Sequence, residues 1–450
     1  MATTTATADA SRGTAVSSGT GESIREAIPI IGAIVILLIY QGYTLSIPGI
    51  ASPWISKTFD LDQSRLAQLF AWMSVAAFGS LALARWADRV GRRRIILLGL
   101  LASPALSLTS AIAQGPISFA IYQILISALL GGSVTSAIAL LAEELPVNQR
   151  ARGQAAAATA SAVGGVLGYF VIPVLLRNGY DWRWLFVPSV AGILLVWPVA
   201  RMLPETQWAE QRSKGTITKS RIYDVFNPIY RRRAIGLIST AALSTVAGTA
   251  VNGWLYYEAV SIIGLPPERA STLVVTGMLV GMIGFPIGAW ASDRFGRVPT
   301  VTFFGGAAWL GAIAFYWWPN VSFVMPMVWL ISIYCWFKVG SSIMTVGANA
   351  SATELFPAAL RSTMMGWQMI VGAVFSMLAQ IMIAELIRPL GGLTNVIGYL
   401  ALLGLPSAVI WWFTIDETRG LPLKVAAKED EWEKVPHRTT MVTPAQQGQQ

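Results

Sequence analysis

The chain has 450 residues, 54% hydrophobic and 12% charged, with a formal net charge of +9. Soluble globular proteins are about one quarter charged, so this composition excludes a water-soluble enzyme and indicates a chain that lives in a lipid bilayer. The arginine excess reads as topogenic charge on one membrane face, not as a nucleic-acid footprint. With one cysteine, Cys335, and one histidine, His437, no intramolecular disulfide, metal site or histidine-based triad is expected.

The opening "MATTTATADASRGTAVSSGTGES" has no apolar core and does not resemble a cleaved signal peptide. Residues 1–27 are expected to form a disordered cytoplasmic tail. A membrane-crossing helix needs about 20 mostly apolar residues. Six such segments follow, at approximately 28–50, 64–84, 94–114, 117–142, 153–177 and 184–203. They form a first half, residues 28–203. A polar stretch, 204–234, reads as a cytoplasmic linker. A second half, 235–420, holds six more segments at approximately 235–257, 270–291, 299–318, 322–350, 363–387 and 393–414. Residues 421–450 read as a cytoplasmic C-terminal tail. The fold class is therefore an all-α membrane protein of twelve spans in two six-helix halves. The runs around Arg85–Arg94, Arg150 and Arg152, the linker, Arg294 and Arg297, and Arg361 fall in alternate loops. That places both termini in the cytoplasm by the positive-inside rule, in a plasma or inner cell membrane.

Three motifs occur twice in the same order. Asp88-Arg89-x-Gly91-Arg92 matches Asp293-Arg294-x-Gly296-Arg297. "EELPVNQRARG" from Glu143 resembles "ELFPAALRSTMMG" from Glu354, pairing Arg150 with Arg361. "LPETQ" from Leu203 pairs with "IDETRG" from Ile415. Such recurrence is the mark of one six-helix unit used as parallel repeats. At these residues the chain resembles the major facilitator superfamily, and its "PET" and "ELFP…R" endings are similar to the organic-acid and sugar-porter branches. The family glycine four residues before the aspartate is replaced by Ala84 and Ala289, which implies looser helix contact there. The resemblance implies a monomeric secondary transporter working by alternating access, with lipid around it, without cofactor or metal. Sugar or polyol uptake and drug efflux are the alternatives, ahead of a uniporter or a non-transporting sensor. A membrane-embedded enzyme has no nucleophile–base pair, metal cluster or phosphate loop to support it.

The charged turns invite a gating role. An aspartate at a membrane edge accepts hydrogen bonds from arginine or a helix N-terminus, and could latch one half to the other. The gating candidates are Asp88, Arg89, Arg92, Glu143 and Arg150 in the first half, and Asp293, Arg294, Glu354 and Arg361 in the second.

Polar residues inside the spans are costly and mark a pathway or a helix contact. The first span carries Tyr40, Gln41 and Thr44; the fourth carries Gln123; the seventh carries Asn252 and Tyr256; the eleventh carries Gln368. The aromatic acid–proton branch usually has acids at the positions of Gln41 and Thr44, so their absence leaves proton symport without its usual carrier. Glu258 and Glu385 stand near outer helix ends. Lys338 lies deep in the tenth span, on one face with Tyr334, Ser341 and Thr345 at steps of four, three and four. Too deep to reach the interface easily, and with no acid at matching depth, it points to a small anionic substrate.

Overall fold

In the computed structural model, residues 18–144, 150–203, 223–317 and 327–433 are described. Among them every regular element is helical, and twelve helices are long and apolar enough to cross a membrane. These are α1 (Ile28–Thr58), α2 (Gln63–Ala87), α3 (Arg92–Ala111), α4 (Pro116–Leu141), α5 (Ala156–Arg177) and α6 (Trp182–Met202), then α7 (Arg231–Ile262), α8 (Pro267–Phe295), α9 (Arg297–Trp317), α10 (Met327–Ala352), α11 (Thr363–Leu386) and α12 (Leu393–Thr414). The side chains of Asp88, Glu143 and Arg150 lie outside the described residues, as do positions 1–17, 204–222 and 434–450.

The element ends differ from the sequence-based expectation in three places. The helix containing α1 begins at Ser18, within the stretch expected to be disordered. It also runs on to Thr58, where "ASPWISKT" continues the apolar face and Ser52 Oγ donates to Gly49 O at 2.7 Å. Beyond α12 the chain stays on the second half: short helices α13 (Leu423–Ala426) and α14 (Glu429–Glu433) follow. The Tyr230 hydroxyl donates to Ala427 O at 2.9 Å and Lys428 O at 3.1 Å, and burial pushes this phenol up to about 12.

The repeat read from the motifs is also a repeat of packing. In the first half α1 packs on α5 and α6, and α4 on α2 and α3, with α3 on α6; in the second half α7 packs on α11 and α12, and α10 on α8 and α9, with α9 on α12. The two "DRxGR" turns share one backbone device. Gly91 has φ 106° and ψ 135°, and Gly296 has φ 105° and ψ 162°. In each copy this single glycine both ends one helix and starts the next, in a region that residues with a Cβ avoid. Glycine serves a second purpose between α1 and α5. A Cβ on Gly42 would stand 2.2 Å from Ser161 O, and one on Gly164 2.1 Å from Ile39 O. Only bare backbones fit this approach, which accounts for "SAVGGVLGYF".

The halves meet where α2 faces α11, α5 faces α8 and α1 faces α7. Because the spans alternate in direction, arginines of both motifs collect at one end of the bundle, called here the basic end. The opposite end is the far end. One buried cluster spans both halves toward the far end, from Ile47, Ile50 and Phe70 to Trp254, Tyr256 and Ile383. Toward the basic end the burial divides. Ile34, Leu37, Leu140 and Val199 form a cluster within the first half, and Tyr230, Leu237, Phe356 and Trp411 one within the second.

Candidate functional site

Lys338 stands midway along α10, half-buried. Gly281 of α8 makes room for it: a Cβ on that glycine would lie 3.0 Å from Lys338 Cβ. The ammonium donates to Asn252 Oδ1 of α7 at 3.3 Å. Asn252 Nδ2 donates back to Gly248 O at 3.1 Å, so the carbonyl oxygen faces the lysine. Asn252 and the next residue, Gly253, are exposed. The other hydroxyls of the lysine's stripe are turned onto their own helix. Ser341 Oγ donates to Lys338 O at 2.9 Å, and Thr345 Oγ1 to Ser341 O at 2.7 Å.

A cavity of about 320 Å³ lies between α5 and α8 and reaches Lys338 and Ser342. Its other walls are apolar, among them Val166, Phe170, Met278, Met282 and Phe285. A single cation beside this open, largely apolar cleft matches a ligand with an apolar body and one anionic group, since a few placed polar groups orient a ligand and apolar walls supply the contact.

Several sequence-predicted site residues lie elsewhere, and these are corrections. Tyr40 is buried within the first half, hydrogen-bonded to Ser103 of α3 at 2.8 Å and packed on Gly192 of α6. Thr44 is buried too, its hydroxyl donating to Tyr40 O at 3.0 Å. Gln123 donates to Ser110 Oγ at 3.0 Å between α4 and α3 and is 1% exposed. The helical face shared by these side chains on α1 and α4 is turned into their own half, where polar groups join helices. Tyr334 shares Lys338's stripe by spacing, yet its ring is wedged over Gly277 and against Phe315 and Phe337. Gln41 accepts from Ser161 Oγ at 3.3 Å and is half-buried. Gln368 is half-buried, at the basic half of α11.

Tyr256 is part of a different structure, a seam of rings joining the halves near the far end. Its ring lies 5.2 Å from Tyr169 of α5 and 6.2 Å from Trp54 of α1, and its hydroxyl bonds Ser271 Oγ at 3.2 Å. Two residues earlier Trp254 meets Phe70 of α2 at 5.5 Å and donates to Gln380 Oε1 of α11 at 3.0 Å. Ser64 Oγ of α2 donates to Ala384 O of α11 at 2.7 Å, and Asp62 lies 3.9 Å from Arg388. Each ring pair adds about 0.5–1.5 kcal/mol beyond its burial, whereas the exposed ion pair adds little. Trp54, Phe70 and Tyr169 escaped the sequence reading because aromatic residues near helix ends are abundant interface anchors; only the paired geometry separates the two cases.

At the basic end the second copy of the charged motif forms a network within its own half. Arg297 pairs with Glu354 at 3.1 Å and with Asp293 at 3.5 Å. Thr418 Oγ1 donates to the other Glu354 oxygen. Glu417, from "DETRG", accepts from the Arg297 and Val298 amides, both at 2.9 Å, and so caps the N-terminus of α9 where an anion is favoured. Asp416 binds the buried Arg233 at 2.7 Å. Arg361 donates through Nε to Phe356 O at 2.9 Å; Arg294 and Arg89 are exposed. Arg93 of the first copy donates to Ala200 O of α6 at 2.6 Å. Arg92 is half-buried beside it. Arg233, Asp416, Glu417 and Thr418, which complete this network, were missed in the sequence, although the recurrence of "PET" and "DET" marked their neighbourhood.

Comparison with known proteins extends the argument. The sequence profile of the Major Facilitator Superfamily matches residues 32–380. The chain is similar to a probable 4-methylmuconolactone transporter of Cupriavidus pinatubonensis, 24% identical over 388 residues, covering 84% of this chain and 88% of that one. It is also similar to a gentisate transporter of Corynebacterium glutamicum, 24% identical over 349 residues, covering 76% and 77%. In fold it matches the xylose transporter of E. coli in an inward-open conformation, with TM-score 0.71 and 14% identity over 90% of this chain and 99% of that one. The profile covers well over half of the chain, and the repeated six-helix packing agrees with it. The protein thus belongs to the Major Facilitator Superfamily and is a multi-pass membrane transporter, not an enzyme.

Proposed function

We propose that the protein moves a small organic anion, an aromatic or similar ring-bearing carboxylate, by alternating access, with the carboxylate bound at Lys338. The observation that carries this reading is the lysine beside Asn252 at the wall of an otherwise apolar cavity. A carboxylate makes a charge-assisted hydrogen bond that is roughly twice as strong as the neutral amide's, so it displaces Asn252 from the ammonium. The relatives' names, for 4-methylmuconolactone and gentisate, support the same class. The apolar walls disfavour a sugar, whose hydroxyl groups would be left unpaired there.

The basic end is taken as cytoplasmic by the positive-inside rule, in the inner or plasma membrane, with the chain acting as a monomer. The conformation is then closed to the outside by the ring seam. The charged motifs act as the gate at the cytoplasmic face: Asp88, Arg89, Arg92, Glu143 and Arg150 against Asp293, Arg294, Glu354 and Arg361. An anion entering alone works against a potential negative inside, at about 2.3 kcal/mol per charge per 100 mV, so a companion proton belongs to this reading.

The test is uptake of a radiolabelled aromatic carboxylate into proteoliposomes. Lys338→Ala should lose saturable uptake while inserting and folding, and Lys338→Arg should keep part of it. Saturable uptake by the alanine variant with an unchanged KM would remove the lysine from the site.

A further inference from the structure

Glu258 is the one buried carboxyl group among the described residues, 2% exposed. It stands at a change of helix type. Residues Glu258–Ile262 form a π-helical turn at the far end of α7, with the Ile263 amide donating to Glu258 O at 2.9 Å. Such turns are rare and widen the helix locally. This one directs the carboxyl group toward α12, where Thr394 Oγ1 donates to Oε1. Oε2 is fully enclosed and has no hydrogen-bond partner.

The charged and titratable groups around it do not compensate. Arg388, beyond α11, lies beside Asp62 of the other half. Arg269 and Glu268 at the start of α8 are exposed, as is Glu385 near the end of α11. Tyr316 of α9 is within electrostatic reach, but its hydroxyl donates to Val251 O at 2.6 Å. An ionised carboxylate enclosed with one hydroxyl donor and no cation is strongly disfavoured. A proton on Oε2 removes the charge.

The position ties this proton to the seam. Trp254 and Tyr256, which meet Phe70, Tyr169 and Trp54 of the first half, precede Glu258 by four and two residues on the same helix. Parting the halves at the far end strips the neighbouring ring contacts and admits water to the turn. We propose that Glu258 is a proton-binding site whose occupancy is coupled to closure of the far end. One proton from far-side water joins the carboxylate as the seam closes, and the O–H bond breaks to give that proton back to water as it opens. The linkage sign follows: the closed state binds the extra proton, so acid on the far side favours closure, by at most about tenfold per pH unit for one proton.

The experiment measures the seam directly and needs no substrate, so failure of the proposed transport reading leaves it intact. Spin labels are placed at Lys57→Cys and Thr272→Cys, exposed far-end positions of the two halves, in a Cys335→Ser background. Inter-label distances are recorded in lipid nanodiscs between about pH 5 and about pH 8. The expected result is a short-distance population that falls severalfold as pH rises, and that becomes independent of pH in Glu258→Gln. Glu385→Gln, which neutralises an exposed far-end carboxylate, serves as the control that keeps the wild-type profile. Glu258→Met, also unable to ionise, replaces the glutamine variant if that does not fold. A pH-independent parent, or a Glu258→Gln profile that still follows pH as the parent does, would overturn the proposal.

Discussion

At the scale of single residues, Lys338 and Asn252 show how a costly side chain is kept in a membrane. The lysine is held by a neutral acceptor at 3.3 Å, not by an acid, and a neutral acceptor yields readily to a carboxylate. Asn252→Asp converts the partner into an internal competitor. A hydrogen bond between charged groups is worth about 1.5–3 kcal/mol against about 0.5–1.5 for a neutral one. The expected effect is a KM for the aromatic carboxylate raised about tenfold, with folding unaltered; the check is concentration-dependent uptake in proteoliposomes. Lys338 and Asn252 were both legible in the sequence because an intramembrane amine and an amide are expensive and so stand out. Tyr40, Thr44 and Gln123 looked the same by that criterion yet pair within the first half. Spacing along one helix says which side chains share a face; it does not say whether that face is turned to the partner half or to its own.

At the scale of elements, the matched turns at Gly91 and Gly296 allow a controlled comparison. Both have the left-handed backbone of a glycine-only region, so an alanine costs about 1–3 kcal/mol of strain at either. Open space surrounds Gly91, whereas a Cβ on Gly296 would stand 2.6 Å from the Glu417 carboxylate that caps α9. Gly296→Ala should therefore add the loss of that cap, about 0.3–1 kcal/mol, and lower the thermal unfolding temperature in detergent more than Gly91→Ala. Equal shifts would mean that the cap contributes nothing. The turns, the repeat and the twelve spans were legible because each rests on local pattern: apolar length, a glycine, recurring charge. The π turn at Glu258 and the capping by Glu417 were not, because both depend on what a distant helix places opposite.

At the scale of the whole molecule, sequence periodicity carries two halves and their topology but not which end they close. That choice rests on pairings between α1, α2 and α5 and the spans α7, α8 and α11, far apart along the chain and alike in composition to the lipid-facing surface. The basic end is organised by directional bonds inside the second half, such as Arg297 to Glu354 and Arg233 to Asp416. The far end is held chiefly by ring faces between halves. These two kinds of cohesion respond oppositely to cold. Apolar association loses strength on cooling because the hydration of apolar surface carries a large heat capacity, while ion pairs within one half do not separate the halves at all. Chilling should thus loosen the far-end seam and leave each six-helix body intact. Distance distributions across the far end, compared between near-freezing and growth temperature, should broaden toward longer values in the cold while distances within each half stay fixed. A transporter built this way slows in the cold partly because its resting shape has drifted, and not only because every barrier is climbed more slowly.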